Sequence, residues 1–200
     1  MSIAAVITAD IVNSTLLSVK EQRKLLLKIE TILTSHKFEF YRGDSFQVIV
    51  KNPEQALTLA LQVRMAARVI GARYDVRISI GIGSIQSRAK KISLSTGEAF
   101  TLSGRAFDSL SKSDSRLSIQ LADDNPGLRV ICYFIDYIFQ ELTPKQAEVL
   151  SMLLAGKTQA EVARKLKRSQ STINKHARSA GWHELVKLEA EYKEMIKALI

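Results

Sequence analysis

Residues 141–182 read ELTPKQAEVLSMLLAGKTQAEVARKLKRSQSTINKHARSAGW. Pro144, following Thr143 and Glu141, is placed to open a helix, because a first-turn residue has no intrahelical use for the N–H that proline lacks. Gly156, just past Leu154, is placed to close it. Thr158 and Glu161 have capping-box spacing, so that hydroxyl and carboxylate would each satisfy a backbone N–H left free at a helix start. Ser169 or Ser171 can cap a third helix, in which Ile173 and Ala177 share a face four residues apart. Val162, Ala163 and Leu166 give the second helix its buried side, and the small Ala163 permits a close helix crossing. The spacing predicts a helix-turn-helix.

Charge sharpens this reading. Residues 157–178 hold seven basic side chains, Lys157, Arg164, Lys165, Lys167, Arg168, Lys175 and Arg178, against Glu161 alone. Gln170, Ser171, Asn174, Lys175 and Arg178 fall on the outward side of the third helix, where amide, hydroxyl and cationic groups suit base edges and phosphates. Lys165, Lys167 and Arg168 would lie near the phosphate backbone. The alternative is a trihelical interaction module with a solvated basic face. The stretch is similar, over about 40 residues, to the C-terminal modules of sigma factors and LuxR-type regulators. It departs from them at the turn, where Lys167 and Arg168 replace glycine and an apolar residue. The resemblance implies DNA as a partner.

The whole chain has 200 residues, 29 Lys and Arg against 20 Asp and Glu, and a net charge of +9. That length buries a sizeable core and suits one ordinary domain plus a small module, and the charge favours a polyanionic partner. Cys132, the single cysteine, stands in an apolar run and reads as a core residue in a reducing compartment. The start MSIAAVITADIVNS has no basic region before its short apolar run, and no apolar stretch reaches the ~18 residues of a membrane span. A soluble, cytoplasmic protein without membrane association is expected.

Upstream, Ile3 to Thr8 reads as a buried strand ending at Asp10, and residues 16–35 as an amphipathic helix with Leu16, Val19, Arg23, Leu26, Ile29 and Leu33 on one face. Phe38 to Tyr41 and Ser45 to Val50 form a hairpin around Arg42, Gly43 and Asp44. A helix from Pro53 to about Val69 carries Ala56, Leu59, Ala60, Val63, Ala67 and Ile70 as its core stripe. Asp75 to Ile85 alternates as a strand, 86–96 is an exposed basic loop, 97–110 a helix and 117–121 a strand. The order is that of an α+β, ferredoxin-like sheet with helices on one face, followed by a small all-α helix-turn-helix domain. Residues 1–122 form the first domain, 123–140 a helical connection after the break Asp123-Asp124-Asn125-Pro126-Gly127, and 141–200 the second. In the last segment Leu185, Leu188, Tyr192, Met195 and Leu199 make the seam of a helix that packs on its own core or in a dimer coiled coil. His176 and His183 read as surface or capping residues.

Asp10 and Asp44 alone would be ordinary turn or cap residues. Their neighbourhood carries more: TADIVNST after a strand, RGDSF on a hairpin, RISIGIGSI on a strand and GEAFTLSGRAFD on a helix. Together these resemble the class III nucleotidyl cyclase catalytic domain over residues 3–121, and the DIVNS run is similar to the SatD-like small bacterial proteins. The resemblance implies that Asp10 and Asp44 bind Mg²⁺ or Mn²⁺ holding a nucleotide's phosphates, a use suited to paired carboxylates. It implies nucleotide binding at Thr101 and Arg105, four and eight residues beyond Gly97, with Arg105 catalytic if the domain is active. It also implies a homodimer in which one copy supplies the aspartates and the other the arginine. Thr101 replaces the family's asparagine, and the purine-reading lysine and acid fall on Phe40 and Leu94, which cannot make those polar contacts.

These features give a DNA-binding transcriptional regulator with a degenerate, cyclase-like dimerisation or nucleotide-sensing domain. The competing readings are an active metal-dependent cyclase or nucleotidyl transferase with an unusual base preference, and a non-catalytic interaction scaffold.

Overall fold

A computed structural model describes residues 2–41, 43–86 and 91–200. Five strands, β1 (Ser2–Val12), β2 (Lys37–Tyr41), β3 (Ser45–Val50), β4 (Asp75–Ile85) and β5 (Leu117–Gln120), form one sheet in the order β2-β3-β1-β4-β5. All neighbours are antiparallel except β4 and β5, which run parallel across a helical crossover. Eight α-helices accompany them among the described residues: α1 (Val19–Leu33), α2 (Ala56–Ile70), α3 (Glu98–Leu110), α4 (Pro126–Gln140), α5 (Pro144–Leu154), α6 (Gln159–Leu166), α7 (Gln170–Ser179) and α8 (Trp182–Leu199).

The expected α+β architecture is present. Elements β1-α1-β2-β3-α2-β4 make a ferredoxin-like unit whose two helices cover one sheet face, packing on Ala5, Ile7, Ala9, Ile11, Val48, Ile78 and Ile80. Beyond that unit, α3 crosses the opposite face. Gly81 makes this crossing possible: a Cβ there would lie 2.3 Å from the Ala99 carbonyl oxygen and 2.4 Å from the Ser103 nitrogen.

The face expected for the first helix holds at Leu26, Ile29 and Leu33 and is corrected at its start. Ser18 and Glu21 form a capping box, so the helix begins at Val19 and buries Leu25, Ile29 and Leu33. Leu16 precedes it in a 3-10 turn and is 57% exposed, while Val19 is 83% exposed. Of the expected 86–96 loop, residues 87–90 lie outside the described residues, as does Arg42 of the hairpin. Gln86 bridges to Thr96, and Ile92–Leu94 form a 3-10 turn with Ile92 buried.

α2 is buried on almost every side, well beyond the expected stripe, with Leu57, Leu61, Arg64 and Met65 also enclosed. One side meets the sheet and α1; α5 and α8 cover the rest. The seam of α8 therefore packs within its own chain. Its Tyr192 hydroxyl donates to the Pro53 carbonyl at 2.7 Å, and Thr58 on α2 donates to Glu189. A single apolar cluster runs from the sheet through α2 into α4, α5, α7 and α8.

Arg64 is the polar centre of this core. It donates twice to Asp75, at 2.9 and 2.8 Å, and once to Asp136 of α4, at 2.6 Å, with its guanidinium 4.1 Å from the Phe139 ring centre. Asp136 also accepts from the backbone nitrogens of Arg116 and Leu117, tying α4 to the start of β5. Cys132 is buried nearby, and burial pushes its thiol up to about 12, which keeps it protonated and unreactive. No described helix is long and apolar enough to cross a membrane.

Candidate nucleic-acid interface and carboxylate site

The C-terminal interface is built from caps. Thr143 and Gln146 close a capping box on α5, Thr158 and Glu161 another on α6, and Ser169 accepts from the Thr172 nitrogen to start α7. These caps fix three short helices whose inward residues include Val162, Ala163, Ile173 and Ala177. Gln146 reaches across to Ser179 at 3.0 Å, holding the far end of α7 against α5.

The turn between α6 and α7 rests on Lys167, which takes the left-handed conformation (φ 52) that glycine usually supplies. The nitrogens of Lys167 and Arg168 then return to carbonyls of Ala163 and Arg164 in the last turn of α6. Lysine thus stands in the left-handed conformation where glycine is usual. Lys167, Arg168, Gln170, Ser171, Asn174, Lys175 and Arg178 are all exposed. α7 packs on α5, α6 and α8, leaving this polar side open, because docking to the rest of the chain uses α5 and α8.

The second group lies on the α3 side of the sheet. Register pairs Asp10 with Ser45 on one side and Arg77 on the other, so all three side chains share that face. The Ser45 hydroxyl is 3.1 Å from Asp10 Oδ1 and 3.5 Å from Asp44 Oδ1, within reach of both carboxylates. Ser14 donates to Asp44 Oδ2 at 2.7 Å, and Arg77 Nη1 lies 3.7 Å from Asp10 Oδ2. Burial raises the Asp10 pKa; the negative charge of Asp44 adds to this, while the Ser45 hydrogen bond and Arg77 oppose it. Arg77 Nε is itself buried without a partner.

Beside these groups is a cavity of ≈ 300 Å³ lined by Thr8, Ala9, Tyr41, Ser45, Phe46, Gln47 and Phe107. Gln47 donates to Thr8 at 3.1 Å, and Thr8 to Ser103 of α3 at 3.2 Å. Burial and the charge of Glu39 push the Tyr41 hydroxyl up to about 12. Ser14 and Arg77 were not singled out in the sequence. Ser14 belongs to the DIVNS run, and Arg77 becomes visible only once strand register sets it opposite Asp10.

The remaining candidates are elsewhere. Thr101 and Arg105 are exposed one turn apart on α3, while Ser103 between them is buried toward the sheet. Within one chain they are not part of the carboxylate cluster. Phe40 packs against Phe38 and Phe46, at 5.9 and 5.3 Å between ring centres, on the sheet face opposite Asp10. Leu94 is exposed. No described group of three or more His, Cys, Asp or Glu residues could hold a metal ion.

Residues 140–181 match the GerE family, described as bacterial regulatory proteins of the luxR family. The sequence matches no curated protein. Two solved structures of similar shape are each described as the structure of a bacterial light-regulated adenylyl cyclase. One shares 13% identity at a TM-score of 0.38, covering 60% of this chain and 43% of that one. The other shares 13% identity at a TM-score of 0.39, covering 59% and 75%. The present chain spans less than half the length of the first.

Proposed function

We propose that this chain is a DNA-binding transcriptional regulator whose sheet domain receives a phosphorylated ligand such as a nucleotide. The observation that carries the first half is the open polar side of α7, together with the match of residues 140–181 to luxR-family regulators. α7 would enter the major groove, with Gln170, Ser171 and Asn174 toward base edges and Lys175 and Arg178 toward bases or phosphates. Lys167 and Arg168, at the turn, would contact the backbone.

Binding to a mixed-sequence duplex, followed over a range of salt concentrations, tests this. Replacing Lys175 and Arg178 together with Ala should remove most of the affinity at moderate salt. It should also make the slope of log K against log salt shallower by about 2, one for each lost phosphate contact. Binding and slope unchanged from the parent would refute the reading.

In the sheet domain, Asp10 and Asp44 would hold Mg²⁺ or Mn²⁺, and Ser14 and Ser45 would orient them. Two carboxylates, with no third His, Cys, Asp or Glu grouped with them among the described residues, suit an ion shared with phosphate oxygens. The ion would offset the charge of the ligand's phosphates. The buried, unpartnered Arg77 Nε adds a cationic donor in the same place. Asp10 and Ser14, both from the DIVNS run, lie in this one cluster.

A second reading, an active cyclase or nucleotidyl transferase, is favoured by the reach of Ser45 to both carboxylates. Against it stand Phe40, enclosed in an aromatic cluster, and Leu94, neither able to read a purine. Incubation with each nucleoside triphosphate and Mg²⁺ or Mn²⁺ separates the two. A product that disappears in Asp44→Asn would establish an enzyme, whereas binding without product supports a sensor.

A further inference from the structure

We infer that the cavity beside the carboxylates takes the base of a nucleotide, and that Gln47 reads that base. The inference rests on the proposal that Asp10 and Asp44 hold the ligand's phosphates, and it names the group that selects among nucleotides.

Strand register sets the layout. Tyr41 lies opposite Ser45 and Ser45 opposite Asp10; two residues along, Gln47 lies opposite Thr8. Alternation puts these five side chains on the α3 side of the sheet. The same alternation turns Phe40 into the aromatic cluster of the other face, which leaves the place beside the carboxylates to Tyr41 and Gln47. Gln47 is two residues from Ser45 on β3, roughly 7 Å along the strand. A ribose bridges a gap of that kind between phosphate and base.

The cavity is made for a neutral group. Its walls include the rings of Tyr41 and Phe107, and none of the described residues that line it is charged. At ≈ 300 Å³ it is at the lower end of small-molecule sites, which suits one part of a ligand rather than the whole. Ser45 lines it and also reaches both carboxylates, so the neutral and ionic halves of the site meet there. A flat, uncharged, hydrogen-bonding ring joined to phosphates has this same division.

The amide of Gln47 is oriented from inside the fold. Ser103 on α3 donates at 3.1 Å to the Phe100 carbonyl, which can only accept. Thr8 then donates to Ser103 at 3.2 Å, and Gln47 Nε2 to Thr8 at 3.1 Å. Each hydroxyl has a single hydrogen, so this series of bonds has one direction. Gln47 Oε1 is thereby turned toward Tyr41, whose hydroxyl lies 3.3 Å away. One amide hydrogen and one lone pair of Oε1 meet no partner among the described residues. A donor and an acceptor side by side are what the edge of a base pairs with. With the amide fixed and the phosphates anchored, bases with an amino group beside a ring nitrogen, adenine and cytosine, are told apart from those with a carbonyl beside an N–H, guanine and uracil.

Calorimetric titration of the full chain in Mg²⁺ with ATP, GTP, CTP, UTP and inorganic tripolyphosphate tests the inference. In the parent at least one nucleotide should bind about tenfold more tightly than tripolyphosphate, the scale of one bidentate pair between amide and base. Gln47→Leu should remove that advantage and leave tripolyphosphate binding unchanged, which also shows that the variant is folded. Thr8→Val cuts the series of bonds behind the amide and should narrow the spread between the two classes of base, again without altering tripolyphosphate binding. A nucleotide advantage that survives Gln47→Leu, or a parent that binds tripolyphosphate as tightly as every nucleotide, would overturn the inference. Where that tripolyphosphate binding is lost in Asp44→Asn, the carboxylate site stands and base reading alone falls. A parent that binds none of the five overturns both.

Discussion

Two pairs of carboxylates in this molecule meet opposite fates. Asp75 and Asp136 flank the Arg64 guanidinium deep in the core, where each short hydrogen bond is charge-assisted and the remaining acceptor capacity is met by backbone nitrogens. Asp10 and Asp44 meet the neutral hydroxyls of Ser14 and Ser45, and among the described residues one cation, Arg77, pairs with Asp10 at 3.7 Å. The first pair is neutralised by the fold. The second holds one ion pair, Arg77 with Asp10, while Asp44 meets hydroxyls alone among the described contacts, and on the proposed reading a ligand makes up that deficit.

The largest test of this contrast is Arg64→Ala. Removing the shared cation leaves the buried Asp136 without a cation and Asp75 with Arg68 alone, at 3.4 Å, and should cost about 3–5 kcal/mol, read as a lowered denaturant midpoint. Arg64→Lys should recover only part of that loss, because an ammonium cannot form the two-pronged bond to Asp75. A cost below about 1 kcal/mol for Arg64→Ala would place the network among surface pairs and erase the distinction.

The next effect belongs to the ligand. Mg²⁺ with a nucleoside triphosphate at a hundred times its dissociation constant should stabilise the parent by about 2.7 kcal/mol, and Asp44→Asn should abolish the shift in melting temperature. A shift surviving in Asp44→Asn would move the ligand away from this cluster.

The smallest effect has the opposite sign. Because the folded pKa of Asp10 is raised, its favourable contribution is complete below the unfolded value near 3.9 and is lost as pH rises through the folded pKa. Asp10→Asn should therefore be the more stable protein at neutral pH, by less than about 1 kcal/mol after solvent screening. The advantage should vanish in acid. A variant less stable than the parent at pH 7 would make Asp10 a supporting residue.

What could be read in advance depended on how local the cause was. The strand Asp75–Ile85 and the outward residues of α7 follow from alternation, capping spacing and local charge, all contained within a few residues. The face expected for α1 holds at Leu26, Ile29 and Leu33 and fails at its start, where the Ser18–Glu21 box begins the helix and leaves the apolar Leu16 and Val19 in solvent. The enclosure of α2 was illegible, since its second cover comes from α5 and α8, far along the chain. Likewise Arg64, Asp75 and Asp136 come from three separate elements and form no local pattern. In the carboxylate cluster the aspartates were visible as parts of motifs; Arg77 required knowing which residue of β4 faces Asp10.

The wrapping of α2 bears on how the molecule comes apart. A helix shared by the sheet and the C-terminal helices cannot remain folded in one half after the other has melted, so heating should give one calorimetric transition, with calorimetric and van't Hoff enthalpies equal. Cutting after Gln140 would bare the second side of α2, and the excised sheet domain would aggregate rather than persist as an independent fragment.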